Sequence, residues 1–285
     1  MSWLRNNGIR IFAALAVAYT QIPIVVVAVF SFNDPEGKFN FTWSGFTLEH
    51  WENAFSIPAL NEALVKSLAL AGVATAVATV LGTLIALALV RYQFIGRRPA
   101  NFLIVIPLAT PEVVIGAALL SMFVYFEVAR GFTTLVLAHV MFSISFVVIV
   151  VRSRLIGFDR SLEEAARDLG ANAFQTFRLV TLPLILPGVI GGALLAFALS
   201  IDDFVISNFT SGRTETFPLY IFGASQRGIP VEVNVIATIL FAVTVIGMIF
   251  VVRQQHRAER MAAISPDNEE SAPGTNPGAL STIQL

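Results

Sequence analysis

An all-α integral membrane protein with six transmembrane helices follows from the composition, from the spacing of uncharged windows and from the distribution of basic residues. Of 285 residues, 56% are apolar and 13% charged, with a mean hydropathy of +0.76; a soluble domain is about a quarter charged. A helix needs ~20 apolar residues at ~1.5 Å each to cross ~30 Å of hydrocarbon. Windows meeting that length fall at about 11–32, 67–90, 101–126, 132–151, 185–209 and 233–252. Disordered, collagen-like and disulfide-stapled classes are excluded. With no cysteine, thiolate metal sites, iron–sulfur clusters and cysteine nucleophiles are impossible.

The first window follows Arg5 and Arg10, the basic front of a secretory signal. It outruns a signal core and lacks a small-x-small cleavage site, so it reads as a retained anchor. The third window contains Glu112 in Pro107-Leu108-Ala109-Thr110-Pro111-Glu112, where two prolines predict a kink that frees backbone groups beside the acid. In the fifth window Asp202-Asp203 follow the apolar run. With the N-terminus inside, 13 of the 18 Lys and Arg fall in cytoplasmic segments and 5 outside. The positive-inside rule thus puts both termini in the cytoplasm of a multi-pass protein of the cell (inner) membrane. The net charge of −1 gives no reason to expect a nucleic-acid partner; membrane lipid is the expected surroundings.

Outside, residues 34–65 mix five acids with Phe39, Phe41, Trp43, Phe46, Trp51 and Phe55, and the plainest reading is an interfacial aromatic belt. The membrane body covers 1–260, and residues 261–285, rich in Pro, Gly, Ser and Asn, read as a disordered cytoplasmic tail.

Inside, residues 161–179 predict two short helices. Ser161-Leu162-Glu163-Glu164 has the spacing of a capping box, which places a helix start at Ser161. Leu162, Ala165, Ala166 and Leu169 form one apolar stripe, with Glu163, Arg167 and Asp168 on the polar remainder. Gly170 is placed to end the helix in the left-handed conformation. A second short helix over about 173–179 precedes Leu182-Pro183, where proline suits the start of a membrane helix. The stripe is narrow and half alanine, which favours insertion into a protein cleft over lying on the bilayer.

Glu164-Ala165-Ala166, then Gly170, Val180 and Leu182-Pro183, resembles over 20 residues the EAA signature of the membrane subunits of binding-protein-dependent ABC importers, with valine for the commoner isoleucine. The resemblance implies the type I (MetI-like) importer permease fold, with this loop as the coupling helix. It further implies that Glu164, Ala165, Ala166, Gly170, Leu182 and Pro183 couple the chain to a separate ABC ATPase subunit. A second homologous permease chain and an extracytoplasmic binding protein complete the implied assembly. ATP and Mg would be bound by the ATPase; no cofactor is expected on this chain, which has no phosphate-binding Gly-x-x-x-x-Gly-Lys-Ser/Thr loop and no enzyme constellation. His50, His139 and His256 have no metal-ligand spacing, and His139 reads as a hydrogen-bonded core residue.

Ionisable groups within a membrane are expensive and point to function. Counted along their helices, Asp202 lies ~21 Å and Glu112 ~16 Å from the cytoplasmic start, and carboxylates at such depths suit a cationic substrate. Ser200-Ile201-Asp202-Asp203-Phe204, Pro111-Glu112 and Val231-Glu232-Val233-Asn234 look like the spermidine/putrescine permeases of the PotC and PotI kind. That likeness implies polyamine transport, with Glu112, Asp202, Asp203 and Trp51 along the substrate pathway. Permeases for opines or amino-acid derivatives share parts of these motifs. A secondary cation carrier is the remaining alternative, and it has no use for the capped loop.

Overall fold

The computed structural model describes residues 2–157 and 159–264; most of the tail expected beyond 261 lies outside them. The described chain is helical: α1 (Ser2–Phe30), α2 (Glu49–Glu52), α3 (Pro58–Arg91), α4 (Arg97–Ala109), α5 (Glu112–Tyr125), α6 (Phe132–Ile156), α7 (Ser161–Asp168), α8 (Ala173–Thr176), a π-helix (Phe177–Thr181), α9 (Leu182–Ile201), α10 (Val205–Thr210), α11 (Phe217–Ser225) and α12 (Val231–Ile264). Among the described residues no strand forms, and one antiparallel bridge joins Asn33 to Phe46.

Four described segments are long and apolar enough to cross a membrane alone: Asn7–Phe30, Pro58–Arg91, Phe132–Ile156 and Ala173–Ile201. The expected span at 101–126 is instead a pair, α4 and α5, bent by 111°. Thr110 and Pro111 between them are extended, with ψ 133° and 135°. Pro111 lacks an amide to continue the ladder and forbids helical geometry at Thr110, so the break is far sharper than a kink. The expected span at 185–209 stops at Ile201 and restarts as the short α10. The window expected at 233–252 falls in α12, whose described apolar part, Val231–Gly247, is shorter than a full span.

Two compact units divide the chain, the larger made of Pro35–Thr42 and Asn53–Val233, the smaller of Met1–Asp34, Trp43–Glu52 and the chain from Asn234. In the larger unit α3, α6 and α9 pack on one another around Ala78, Ala86, Leu89, Val147, Val148, Val151, Ile185 and Ala196. Lipid tails are as apolar as these side chains, so close packing must supply the attraction, and small residues allow it. Ala74, Ala78, Gly82 and Ala86 form a buried four-residue stripe on α3. A Cβ on Gly82 would lie 2.7 Å from Val147 Cγ1, whereas one on Gly72 would meet nothing within 4 Å. Gly82→Leu is therefore expected to cost about 1 to 3 kcal/mol by overpacking and to lower the thermal unfolding midpoint in detergent. Gly72→Leu should leave it in place, and equal midpoints for the two variants would refute the close α3–α6 contact.

In the smaller unit the chain after α1 folds back on the end of that helix. Buried Asn33 accepts from the Ser44 amide at 2.8 Å, and the Thr47 amide donates to the Phe32 carbonyl at 2.9 Å. Phe32 stacks on Phe46 and on Trp51, with ring centroids 5.7 and 5.0 Å apart.

Candidate functional site

Two places gather the residues singled out by sequence, and the first is α7 with its flanks. α7 starts one residue earlier than a Ser161 cap would allow. Asp159 Oδ1 accepts from the Ser161 amide at 2.9 Å, and the Arg160 carbonyl accepts from Glu163 and Glu164 at 3.0 and 3.2 Å. Arg160 is the N-cap and no side chain caps the helix, so the expected Ser161–Glu164 capping box does not form. An aspartate two residues before an amide forms this turn more readily than serine, because its carboxylate is the stronger acceptor. Hydrogen bonds from the Ser161 amide and hydroxyl hold the Asp159 carboxyl below its ordinary range. The reciprocal box sits at the next helix, where Asn172 Oδ1 accepts from the Gln175 amide and Gln175 Oε1 from the Asn172 amide, both at 2.9 Å.

Gly170 has φ +89°. The Ala171 amide donates to the Ala166 carbonyl at 3.0 Å and the Gly170 amide to that of Arg167 at 2.9 Å, a Schellman closure that consumes the terminal carbonyls. Beyond it α8, the π-helix and α9 run on without interruption, so the second short helix is the root of the membrane helix rather than a separate piece. Pro183 has no amide to donate to Leu179, and the preceding turn widens until Leu182 N–H reaches the Phe177 carbonyl.

Of the apolar stripe, Leu162, Ala165 and Leu169 point outward, Leu169 with 90% of its surface exposed. Ala166 is half-buried, and Glu164 is exposed. Glu163, expected on the solvated face, is turned inward. Its Oε1 accepts from Arg91 Nη2 at 2.6 Å and from the Thr181 hydroxyl at 2.5 Å, and the two charged side chains are only 14% and 12% exposed. One carboxylate thus ties α7 to the end of α3 and to the π-helix beneath α9. Its position, one residue before the signature and opposite the outward stripe, was the available signal.

The second place is the junction of α5, α6, α9 and α10. Asp202 caps the C-terminus of α9 with its side chain exposed. Asp203 is buried, and its carboxylate accepts from the Ile206 and Ser207 amides at 3.2 and 2.8 Å, nucleating α10. His139 of α6 lies in the same pocket, with Nδ1 2.7 Å from Ser200 Oγ, Nε2 3.1 Å from Ser207 Oγ and Nε2 3.4 Å from Asp203 Oδ2. Glu112 begins α5 with its side chain exposed, within electrostatic range of both aspartates. α5 packs on α10 closely enough that a Cβ on Gly116 would lie 2.5 Å from the Phe209 ring. The structure therefore brings Glu112, Asp202 and Asp203 together, but engages Asp203 fully and leaves the other two open. Trp51 belongs to the smaller unit, where its indole N–H donates to Ser31 Oγ at 3.2 Å. Among the described residues no group of three His, Asp or Glu could hold a metal ion.

Residues 78–262 match the family described as binding-protein-dependent transport system inner membrane component. The chain belongs to this family. As an inner membrane transport component it is similar to the spermidine/putrescine transport system permease protein PotC of Haemophilus influenzae, 38% identical over 243 residues, which cover 85% of this chain and 92% of that protein. It is also similar to the putrescine transport system permease protein PotI of Escherichia coli K12, 39% identical over 244 residues, 82% of this chain and 86% of that one. Among solved structures it resembles a chain of a bacterial ABC transporter involved in the import of alginate (TM-score 0.64, 17% identity, 90% of this chain and 98% of that one). It also resembles a chain of the MetNI methionine ABC transporter (TM-score 0.55, 19% identity, 70% and 95%). The fold is that of type I ABC importer permeases, and this family member is a multi-pass membrane protein.

Proposed function

We propose that this chain is a permease subunit of an ATP-driven importer of polyamines and forms half of the translocation pathway. The observation that carries the reading is the likeness to two polyamine permeases over more than four fifths of the chain. The outward stripe of α7, anchored from behind through Glu163, supports a docking role. On this reading Glu164, Ala165, Ala166 and Gly170 seat in a cleft of a separate ATPase subunit, which alone binds ATP and Mg. Leu182 and Pro183 carry the movement into α9. A second, homologous permease supplies the other half of the pathway, a binding protein delivers substrate from outside, and both termini face the cytoplasm. Nucleotide-driven approach of the two docking helices rotates the bundles and passes an ammonium-bearing substrate along the open carboxylates of Asp202 and Glu112. Asp203 maintains the helix junction that holds them, and Trp51 takes its place on the outer approach. No substrate bond is made or broken.

Because the chain has no cysteine, Ala165→Cys introduces a single thiol for crosslinking. Joining to the ATPase subunit of the purified complex is the expected result; capture of lipid alone would overturn the docking role. In proteoliposomes holding the whole complex, labelled spermidine uptake is expected to require ATP on the cytoplasmic side. Uptake that persists without ATP and collapses with the proton gradient would instead indicate a carrier. Competition by an opine but not by putrescine would redirect the substrate assignment.

A further inference from the structure

On the side of the molecule that carries α7, a cavity of about 370 Å³ opens between the end of α3, the start of α4, the end of α6 and the residue that caps α7. Arg97, Arg152 and Arg160 converge on it from three separate elements, and its remaining walls are Leu89, Val90, Leu155 and Ile156. No carboxylate lines it. Two of the three guanidinium groups spend one donor on a neutral acceptor: Arg152 Nη1 on Asn101 Oδ1 at 2.6 Å, Arg160 Nη2 on the Val90 carbonyl at 3.2 Å. Neither bond offsets charge, and each guanidinium carries five N–H donors. Arg97 is half-buried, and its side chain has no ion-pair or hydrogen-bond partner among the described residues. Of the nearby acids, Asp159 is engaged by the Ser161 amide and Glu163 by Arg91 and Thr181, while Glu164 shares a separate recess with Arg160 and does not line this one.

Three cations around a recess with no carboxylate in its walls repel each other unless an anion joins them, and the half-buried guanidiniums of Arg97 and Arg152 are costly without one. A basic surface at the inner face of a membrane is expected from topology alone. A cavity with an apolar wall shared between membrane helices is not. The charged recess fits a phosphodiester with its forked donors, and the apolar wall, continuing along exposed Ile156, fits the start of an acyl chain. We infer that Arg97, Arg152 and Arg160 bind the phosphate of an anionic phospholipid, which ties the root of α7 to α4 and α6. Basic pockets between membrane helices on the cytoplasmic side recognise such headgroups generally.

The test uses the purified complex with the full-length chain and three probes: dihexanoyl phosphatidylglycerol, dihexanoyl phosphatidylcholine and inorganic phosphate. Phosphatidylglycerol is expected to bind and phosphatidylcholine not. In Arg97→Gln the phosphatidylglycerol Kd should rise about tenfold, the value of one charge-assisted contact. Arg97→Lys should recover part of the loss, and Arg98→Gln, outside this cavity, should bind as wild type. Equal binding of the two lipids, unchanged binding in Arg97→Gln at an unaltered unfolding midpoint, or phosphate binding as tightly as phosphatidylglycerol would each overturn the inference. So would photocrosslinking from position 97 that captures an acidic segment of the ATPase in place of lipid. Binding is read without transported substrate, so its failure leaves the transport reading untouched.

Discussion

Glu163→Ala is expected to lower ATP-driven uptake more than tenfold while the reconstituted complex keeps hydrolysing ATP. The Glu163 carboxylate is the shared acceptor of Arg91 and Thr181, and through it α7 grips two membrane helices. Both charged partners are largely withdrawn from water. Removing one member of such a pair costs near the lower end of about 3 to 5 kcal/mol, because the remaining charge loses its counter-charge. α7 itself retains its Schellman closure at Gly170 and its outward stripe, so docking and hydrolysis should survive while movement no longer reaches α3 and α9. Glu163→Gln keeps an acceptor for both donors without the charge and should fall between wild type and alanine. An unchanged ratio of substrate moved to ATP hydrolysed in Glu163→Ala would remove this carboxylate from the transmission path.

Asp202→Asn and Asp203→Asn, adjacent and chemically identical, are expected to fail differently. Asp202 is exposed and Asp203 satisfies two buried amides beside His139. Loss of one carboxylate–ammonium contact of ~1.5 to 3 kcal/mol should cut polyamine uptake by about tenfold or more in Asp202→Asn. Its thermal midpoint should stay at the wild-type value. Asparagine at 203 offers one acceptor oxygen where the carboxylate uses two, so Asp203→Asn should lose about 1 to 3 kcal/mol of stability and show a lowered midpoint in detergent. The pair of measurements separates pathway from scaffold; full uptake in Asp202→Asn would deny that residue its proposed role.

The membrane class, the helix at α7 and its termination at Gly170 were legible because hydropathy, stripe and glycine are local signals. The start of α7 was not, because Asp159 takes the Ser161 amide that the Glu164 side chain of a capping box would have used, a contest between acids that spacing alone does not rank. The prolines at 107 and 111 announced a disturbance, but its 111° size depends on Thr110 and Pro111 both adopting extended geometry. The different settings of Asp202 and Asp203 were hidden because the expected span ran unbroken to 209. α9 ends at Ile201, and the two carboxylates sit at a corner, one exposed at the helix end and the other bonded to the first amides of α10. The inward turn of Glu163 was not legible because its partners, Arg91 and Thr181, are distant in sequence and each unremarkable alone.

The wide turn at Phe177–Thr181 holds one more residue than regular winding would use. The widened turn absorbs that surplus, so everything downstream keeps the azimuth of a regular rod. Deleting one residue there should restore ordinary winding and leave Ser200 beside His139, whereas a deletion within regular α9 would swing its far end by about 100°. The bulge thus buffers the acidic corner against a change of chain length at the root of the rod.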